Sequence, residues 1–170
     1  MSSSKRRGQE DTMIRAVLDT SVIVKSIFKP LRSLSQEAYS REQETHEKCK
    51  ALIKLMEERD VEVHVPKVCV VETAAVARRL AGRILATRAS KGILKSYNVA
   101  DEESLFNVAW DVALDTGCSG FDSYFIALAK REDAILFTDD SGMHQHAKEV
   151  DVNSILIRGN DLNTLKDRLE

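Results

Sequence analysis

Met13-Ile14-Arg15-Ala16-Val17-Leu18-Asp19-Thr20-Ser21 is a short apolar run, rich in branched side chains, that ends on an acid. Such a run predicts a buried first strand over 13–18. The helical pattern that begins at Thr20 and stops before Pro30 then places Asp19 at the strand's carboxyl end. Three further acidic positions share this setting. Glu72 lies in Val70-Val71-Glu72-Thr73, Asp122 in Gly120-Phe121-Asp122-Ser123-Tyr124, and Asp139-Asp140 closes Leu136-Phe137-Thr138. An open α/β sheet gathers its strand ends, and the helix starts that follow them, into one crevice. Carboxylates gathered that closely repel one another. A hard divalent cation such as Mg²⁺ or Mn²⁺, which favours oxygen ligands, resolves the conflict.

The rest of the chain agrees with such a sheet. Cys49, Leu52, Ile53 and Met56 recur at helical spacing within 42–59, whereas 29–41 is polar and reads as a loop or weak helix. Val61, Val63 and Val65 alternate with polar residues as in a strand. Pro66 suits the first turn of a helix carrying Val68, Val71, Ala75 and Leu80, which ends near Gly82, with a second helical stretch over 83–95. The segment 101–116 reads as a helix with acids at its positive end, a buried stripe of Leu105, Val108, Ala109, Val112 and Ala113, and Gly117 as its stop. Ser119 caps a helix reaching about Lys130, followed by a strand over 134–137, a helix over 141–150 and a strand over 154–157. Strands alternating with helices imply a parallel sheet covered on both faces.

A chain of 170 residues with 43% hydrophobic and 31% charged residues fits one soluble globular domain. The net charge of −2 gives no global attraction for a polyanion, so any nucleic-acid surface must be local. Cys49, Cys69 and Cys118 lack metal-knuckle spacing and read as reduced, mostly buried thiols. Residues 1–12 are polar and read as a disordered tail without a signal-peptide core, so a cytoplasmic, non-membrane protein is expected.

Four motifs in this order carry a resemblance. Leu18-Asp19-Thr20-Ser21-Val22, the segment from Val65-Pro66 to Glu72, Phe121-Asp122-Ser123-Tyr124-Phe125-Ile126-Ala127-Leu128-Ala129, and Leu136-Phe137-Thr138-Asp139-Asp140 resemble the motifs of the PIN domain, nearest to the VapC-type toxin ribonucleases. The resemblance covers 13–158, with 159–170 as a C-terminal, helical extension. It implies a three-layer α/β/α sandwich with a central parallel sheet of four or five strands. It also implies a metal-dependent endoribonuclease in which Asp19, Glu72, Asp122 and Asp140 hold one or two Mg²⁺ or Mn²⁺ ions. The family's Thr-x-Asp register selects Asp140 and leaves Asp139 as the alternative ligand, otherwise acting only through longer-range charge. A small antitoxin partner and a homodimer are further implications, with an RNA-processing role as the other context.

Each acid also has a plainer reading as a helix cap: Asp19, Asp122 in the pattern Ser119-x-x-Asp122, and Asp139 or Asp140 before Ser141. Thr20, Ser21 and Thr138 are placed to orient carboxylates or to serve as ordinary turn hydroxyls. His144 and His146, two apart on a helix, point in different directions and read as surface residues rather than a chelating pair. Trp110 and the other aromatics read as core. Between Thr73 and Ala100 there is no acid, while Arg78, Arg79, Arg83, Arg88, Lys91 and Lys95 are all basic. Directly after Glu72, this bias marks Arg78, Arg79 and Arg83 for phosphate-backbone contact. Two rivals stand beside the ribonuclease: a non-catalytic PIN-fold module binding RNA or protein, and a haloacid-dehalogenase-like phosphatase. The latter usually needs Asp-x-Asp, where position 21 here is Ser.

Overall fold

Five short strands, all parallel, form the centre of the molecule in the order β3-β2-β1-β4-β5. The computed structural model describes residues 13–170, and the polar tail expected over 1–12 lies outside them. In chain order the elements are β1 (Arg15–Leu18), α1 (Thr20–Ile27), α2 (Gln36–Glu58), β2 (Glu62–Pro66), α3 (Val68–Ser96) and β3 (Asn98–Ala100). They continue as α4 (Glu102–Thr116), α5 (Gly120–Glu132), β4 (Ile135–Thr138), α6 (Ser141–Glu149), β5 (Ser154–Leu156) and α7 (Leu162–Asp167). The result is the three-layer α/β/α sandwich anticipated above. No helix among the described residues is long and apolar enough to cross a membrane.

β1 owes its central place to composition. Ala16, Val17 and Leu18 are wholly buried, so both faces of the strand need covering. α5 lies across β1, β2 and β4 through Phe125, Ile126 and Leu128, and α4 packs outside it. Burying a side chain of that size stabilises the fold by roughly 1.5–3 kcal/mol. Elsewhere α1 packs on α2 and α3, and α7 on α2, with Leu165 buried. From β1 the chain proceeds to β2 and β3 on one side and to β4 and β5 on the other. The order therefore reverses between β1 and β4, where a parallel sheet opens a crevice at its carboxyl edge.

Several local expectations are corrected. α2 starts at Gln36, inside the stretch read as loop or weak helix, because Ser35 caps it by accepting a hydrogen bond from the Ala38 amide. Its first two turns are polar and solvated, so they carry no apolar period. Pro66 ends β2 instead of opening α3. The buried face of α3 is Cys69, Thr73 and Ala77, whereas Val71, Ala75 and Leu80 are exposed. Apolar residues surround this helix, so their spacing alone does not select a face. β3 is an added edge strand of three residues, too short for a periodic signal. Trp110, at 57% exposure, lies outside the core against Phe106 with ring centroids 5.8 Å apart. Phe121 is exposed too, while Phe125 and Phe137 are core residues.

Gly82 divides α3 where the helical pattern was expected to break. Its φ of 83° and ψ of 173° lie in a region open almost solely to glycine. A Cβ at Gly82 would meet nothing within 4 Å, so any penalty there is purely conformational. Gly82→Ala should therefore lower unfolding free energy by about 1–3 kcal/mol. Gly92, helical and equally open in space, should respond oppositely, with Gly92→Ala adding about 0.5–1 kcal/mol. Urea unfolding of the two variants reads both signs.

Candidate metal centre

Leu18 pairs with Phe137 across the β1–β4 ladder, and the Asp19 amide continues it by donating to the Phe137 carbonyl at 3.0 Å. That register brings Asp19 beside Thr138 and the turn that follows. Asp19 occupies the N-cap position of α1 but makes no side-chain cap bond, so capping does not explain it. Its Oδ2 instead accepts from Thr138 Oγ1 at 2.8 Å and from Ser21 Oγ at 2.5 Å. Both hydroxyls are polarised from behind. The Asp139 amide donates to Ser21 Oγ at 3.1 Å, and the Asp140 amide to Thr138 Oγ1 at 3.0 Å. With an acceptor lone pair of each hydroxyl engaged, both protons point to the same carboxylate oxygen.

The other acids arrive from three helix starts. Glu72, in the second turn of α3, accepts from Thr20 Oγ1 at 2.6 Å. Asp122 stands in the first turn of α5, whose cap is Ser119: its hydroxyl accepts from the Asp122 amide at 3.1 Å. Asp140 caps α6, its Oδ1 accepting from the Met143 amide at 3.0 Å. Here the capping reading holds, and it coexists with a place at the site. Gly142 keeps this turn open, since a Cβ there would approach Asp140 Oδ1 to 3.1 Å.

Asp19, Glu72, Asp122 and Asp140 all line one cavity of about 490 Å³, together with Thr20, Ser21, Val24, Lys25, Ala75, Val76, Arg79 and Met143. Of the basic residues singled out in α3, Arg79 reaches this wall; Arg78 and Arg83 are exposed and are not part of it. His144 and His146 are half-buried rather than fully on the surface; His144 Nδ1 is 3.0 Å from Ser154 Oγ. His146 Nδ1 lies 3.5 Å from Glu149 Oε2, so the two rings are turned to different partners.

Asp139 departs from the role first given to it. Its side chain is fully covered, with Lys25 Nζ at 2.6 Å and Arg158 Nη2 at 2.7 Å from Oδ2. Arg158 also donates its backbone amide and Nε to Oδ1, each at 3.1 Å. Asp139 is thus not a solvent-screened bystander charge, because it is buried and ion-paired on both sides. Burial alone would raise its pKa, but the Arg158 and Lys25 cations outweigh burial and hold the carboxyl below its usual range. For Lys25, burial would lower the pKa, and the Asp139 and Glu42 carboxylates raise it instead. Lys25 and Arg158 escaped the sequence reading. Neither carries a local signal, because Asp139 lies 114 residues from Lys25 and 19 from Arg158.

Asp19 carries the electrostatic tension of the cavity. Burial pushes its pKa up to about 6 despite the Ser21 and Thr138 hydrogen bonds, and the Glu72 and Asp122 charges add to the rise. Asp122 is raised as well, first by burial and then by Asp140, against the lowering effect of the Ser119 bond and His146. Carboxylate and hydroxyl oxygens are the donors the cavity offers, with neither thiol nor imidazole in its lining. That set suits a hard cation, and a cation would relieve the charge that burial makes costly. As they stand, the acids line the cavity without closing on one point: among the described residues no three acidic, imidazole or thiol groups enclose an ion position. Asp19, Glu72 and Asp140 are each turned toward a hydrogen-bond donor of the protein instead.

The PIN domain family model matches residues 16–149. The chain belongs to the PIN domain family. Solved structures with this fold include PAE2754 from Pyrobaculum aerophilum, at 16% identity and a TM-score of 0.55, covering 92% of this chain and 95% of that one. Another is FitAcB from Neisseria gonorrhoeae, at 20% identity and a TM-score of 0.50, covering 84% of this chain and 97% of that one. No curated protein matches the chain. The matched range contains all four carboxylates of the cavity, Asp19, Glu72, Asp122 and Asp140.

The Asp19 shift has a definite sign. The folded protein holds this proton up to about pH 6, while an unfolded aspartate releases it near 3.8. Asp19 therefore costs stability as pH rises through that window. In the metal-free protein, Asp19→Asn should unfold at the same urea concentration as wild type near pH 4 and exceed it at pH 7, by on the order of 2–3 kcal/mol. A difference independent of pH would contradict the assignment. Asp139, with its lowered pKa, acts in the opposite sense and below 3.8, outside this window.

Proposed function

We infer that this PIN domain is a divalent-metal-dependent endoribonuclease, with Asp19, Glu72, Asp122 and Asp140 as its metal-holding and catalytic acids. The observation carrying this reading is that four acids from four motifs line one cavity, with Arg79 in the same wall. When bound, Mg²⁺ or Mn²⁺ would lower the pKa of water and offset charge developing on the phosphoryl group. The protein's own contribution is positioning. Ser21 and Thr138 hold Oδ2 of Asp19 and leave Oδ1 for the cavity, and Thr20 holds one oxygen of Glu72. An acid not fully engaged in ligation takes the proton released from water. Arg79 contacts the phosphate backbone, with Arg78 and Arg83 extending the basic track along α3.

RNA as substrate, the VapC-type toxin role, a small antitoxin partner and a homodimer follow from the motif resemblance. A non-catalytic module is the second reading, favoured by the fact that the described acids do not enclose an ion position. The phosphatase reading is weakened by Ser21, whose hydroxyl binds the carboxylate that would have to act as nucleophile.

Cleavage of a single-stranded RNA with Mn²⁺ separates the first two readings. Wild type should cut, and Asp19→Asn, Glu72→Gln, Asp122→Asn and Asp140→Asn should each lose cutting while melting no lower than wild type without metal. Inactive wild type, or activity retained by all four variants, would sink the nuclease reading. Arg79→Ala should weaken RNA binding across sequences and reduce the slope of log K against log salt by about 0.7. Arg78→Ala and Arg83→Ala should do so less, in keeping with their places outside the cavity wall.

A further inference from the structure

We propose that Arg158 is a positioning residue for the metal centre, acting through Asp139 on Asp19; this rests on the nuclease reading above. Arg158 lies beyond residues 16–149, the part of the chain matched to the family. It is nevertheless tied to the site by an unbroken chain of bonds. Its guanidinium grips Asp139 in a two-pronged contact, Nε to Oδ1 at 3.1 Å and Nη2 to Oδ2 at 2.7 Å, and its amide adds a third bond. A two-pronged arginine contact fixes the plane of a carboxylate as well as its position.

Asp139 is held from the other side by Lys25, which Glu42 pairs at 2.6 Å. The residue is therefore immobilised between α1 and the segment after β5. Its backbone is then immobilised too, and the backbone is the part that matters to the site. The Asp139 amide sets the polarity of Ser21, and the next amide, of Asp140, sets that of Thr138. Those two hydroxyls donate to the same oxygen of Asp19. Asp140 itself hangs from the same turn. Arg158 thus governs two of the four acids without touching the cavity, whose lining does not include it.

A bond that merely stabilises the fold would have a different signature. Arg59 provides the comparison, pairing with Glu170 at 3.2 Å, with neither residue in the cavity lining. The Arg158 side chain is 41% exposed, and its removal leaves the buried Asp139 carboxylate still paired with Lys25 and still accepting from the backbone amide of residue 158. Arg158→Ala should accordingly fold, whereas Asp139→Asn, which strips a buried partner from two cations, is the variant at risk of failing to fold.

The experiment compares wild type, Arg158→Ala, Arg158→Lys and Arg59→Ala. Mn²⁺ binding is measured by electron paramagnetic resonance on metal-free protein. Cleavage of a single-stranded RNA yields kcat and KM, and amide hydrogen exchange follows residues 139 and 140. Arg158→Ala should weaken Mn²⁺ binding and lower kcat by about 10–100-fold in their product, with KM for RNA unchanged. Exchange at both amides should accelerate. Arg158→Lys, which keeps the charge but not the two-pronged contact, should recover part of the loss. Arg59→Ala should change none of these. If Arg158→Ala lowers only the melting temperature, with Mn²⁺ binding, kcat and both amides as in wild type, the proposal is overturned. Failure of the nuclease reading looks different: wild type itself would neither bind Mn²⁺ nor cut RNA, while the two amides would still answer to Arg158→Ala.

Discussion

A carboxylate buried at the end of the central strand is the constraint on which this molecule depends. Asp19 is 5% exposed, at a sheet edge where Glu72 and Asp122 bring further negative charge. Burying a charge demands hydrogen bonds or a counter-charge. Two hydroxyls, Ser21 in the first turn of α1 and Thr138 at the end of β4, supply the first, and the composition of the cavity suits a cation as the second. The register of β1 against β4 matters for this reason. A slip of one residue would move Asp19 out of line with Thr138 and break their hydrogen bond.

The neighbouring aspartates show how the fold separates an ion-paired acid from one that faces the cavity. Asp139 and Asp140 are adjacent in sequence and opposite in environment. Asp139 turns inward to Lys25 and Arg158, and its pKa is depressed by that pairing. Asp140 turns to the cavity and to the start of α6. Charges satisfied by fixed cations are poor metal ligands, because a metal would have to displace the cations first. Charges held only by amides and hydroxyls keep an oxygen free. By the same test Asp19, Glu72 and Asp140 have oxygen atoms to spare and Asp139 does not.

Much of the architecture was legible because it is written in local pattern. The run ending at Asp19, the alternation of Val61, Val63 and Val65, and the stops at Gly82 and Gly117 each act within a few residues. The gathering of four acids was legible from topology, since parallel strands must all end on one side. What escaped depends on distance or on weak signals. β3 is held by pairing with β2 rather than by its own three residues. The inward face of α3 is decided by what packs there, not by the spacing of its valines. The ion cluster around Asp139 joins residues from α1, α2, β4's end and the segment after β5, a coincidence no local window contains. Trp110 lies outside because α4 buries its Leu105, Ala109 and Val112 face against its neighbours.

The central claim is that these four acids form a metal centre, and locating the ion tests it most directly. Crystals of the metal-free protein soaked in Mn²⁺ and measured by anomalous diffraction should show a peak within the cavity, bounded by carboxylate oxygens of Asp19, Glu72, Asp122 and Asp140, with Asp139 still gripped by Lys25 and Arg158. A cavity without an anomalous peak at saturating Mn²⁺, or a peak coordinated by Asp139 in place of Asp140, would contradict the account.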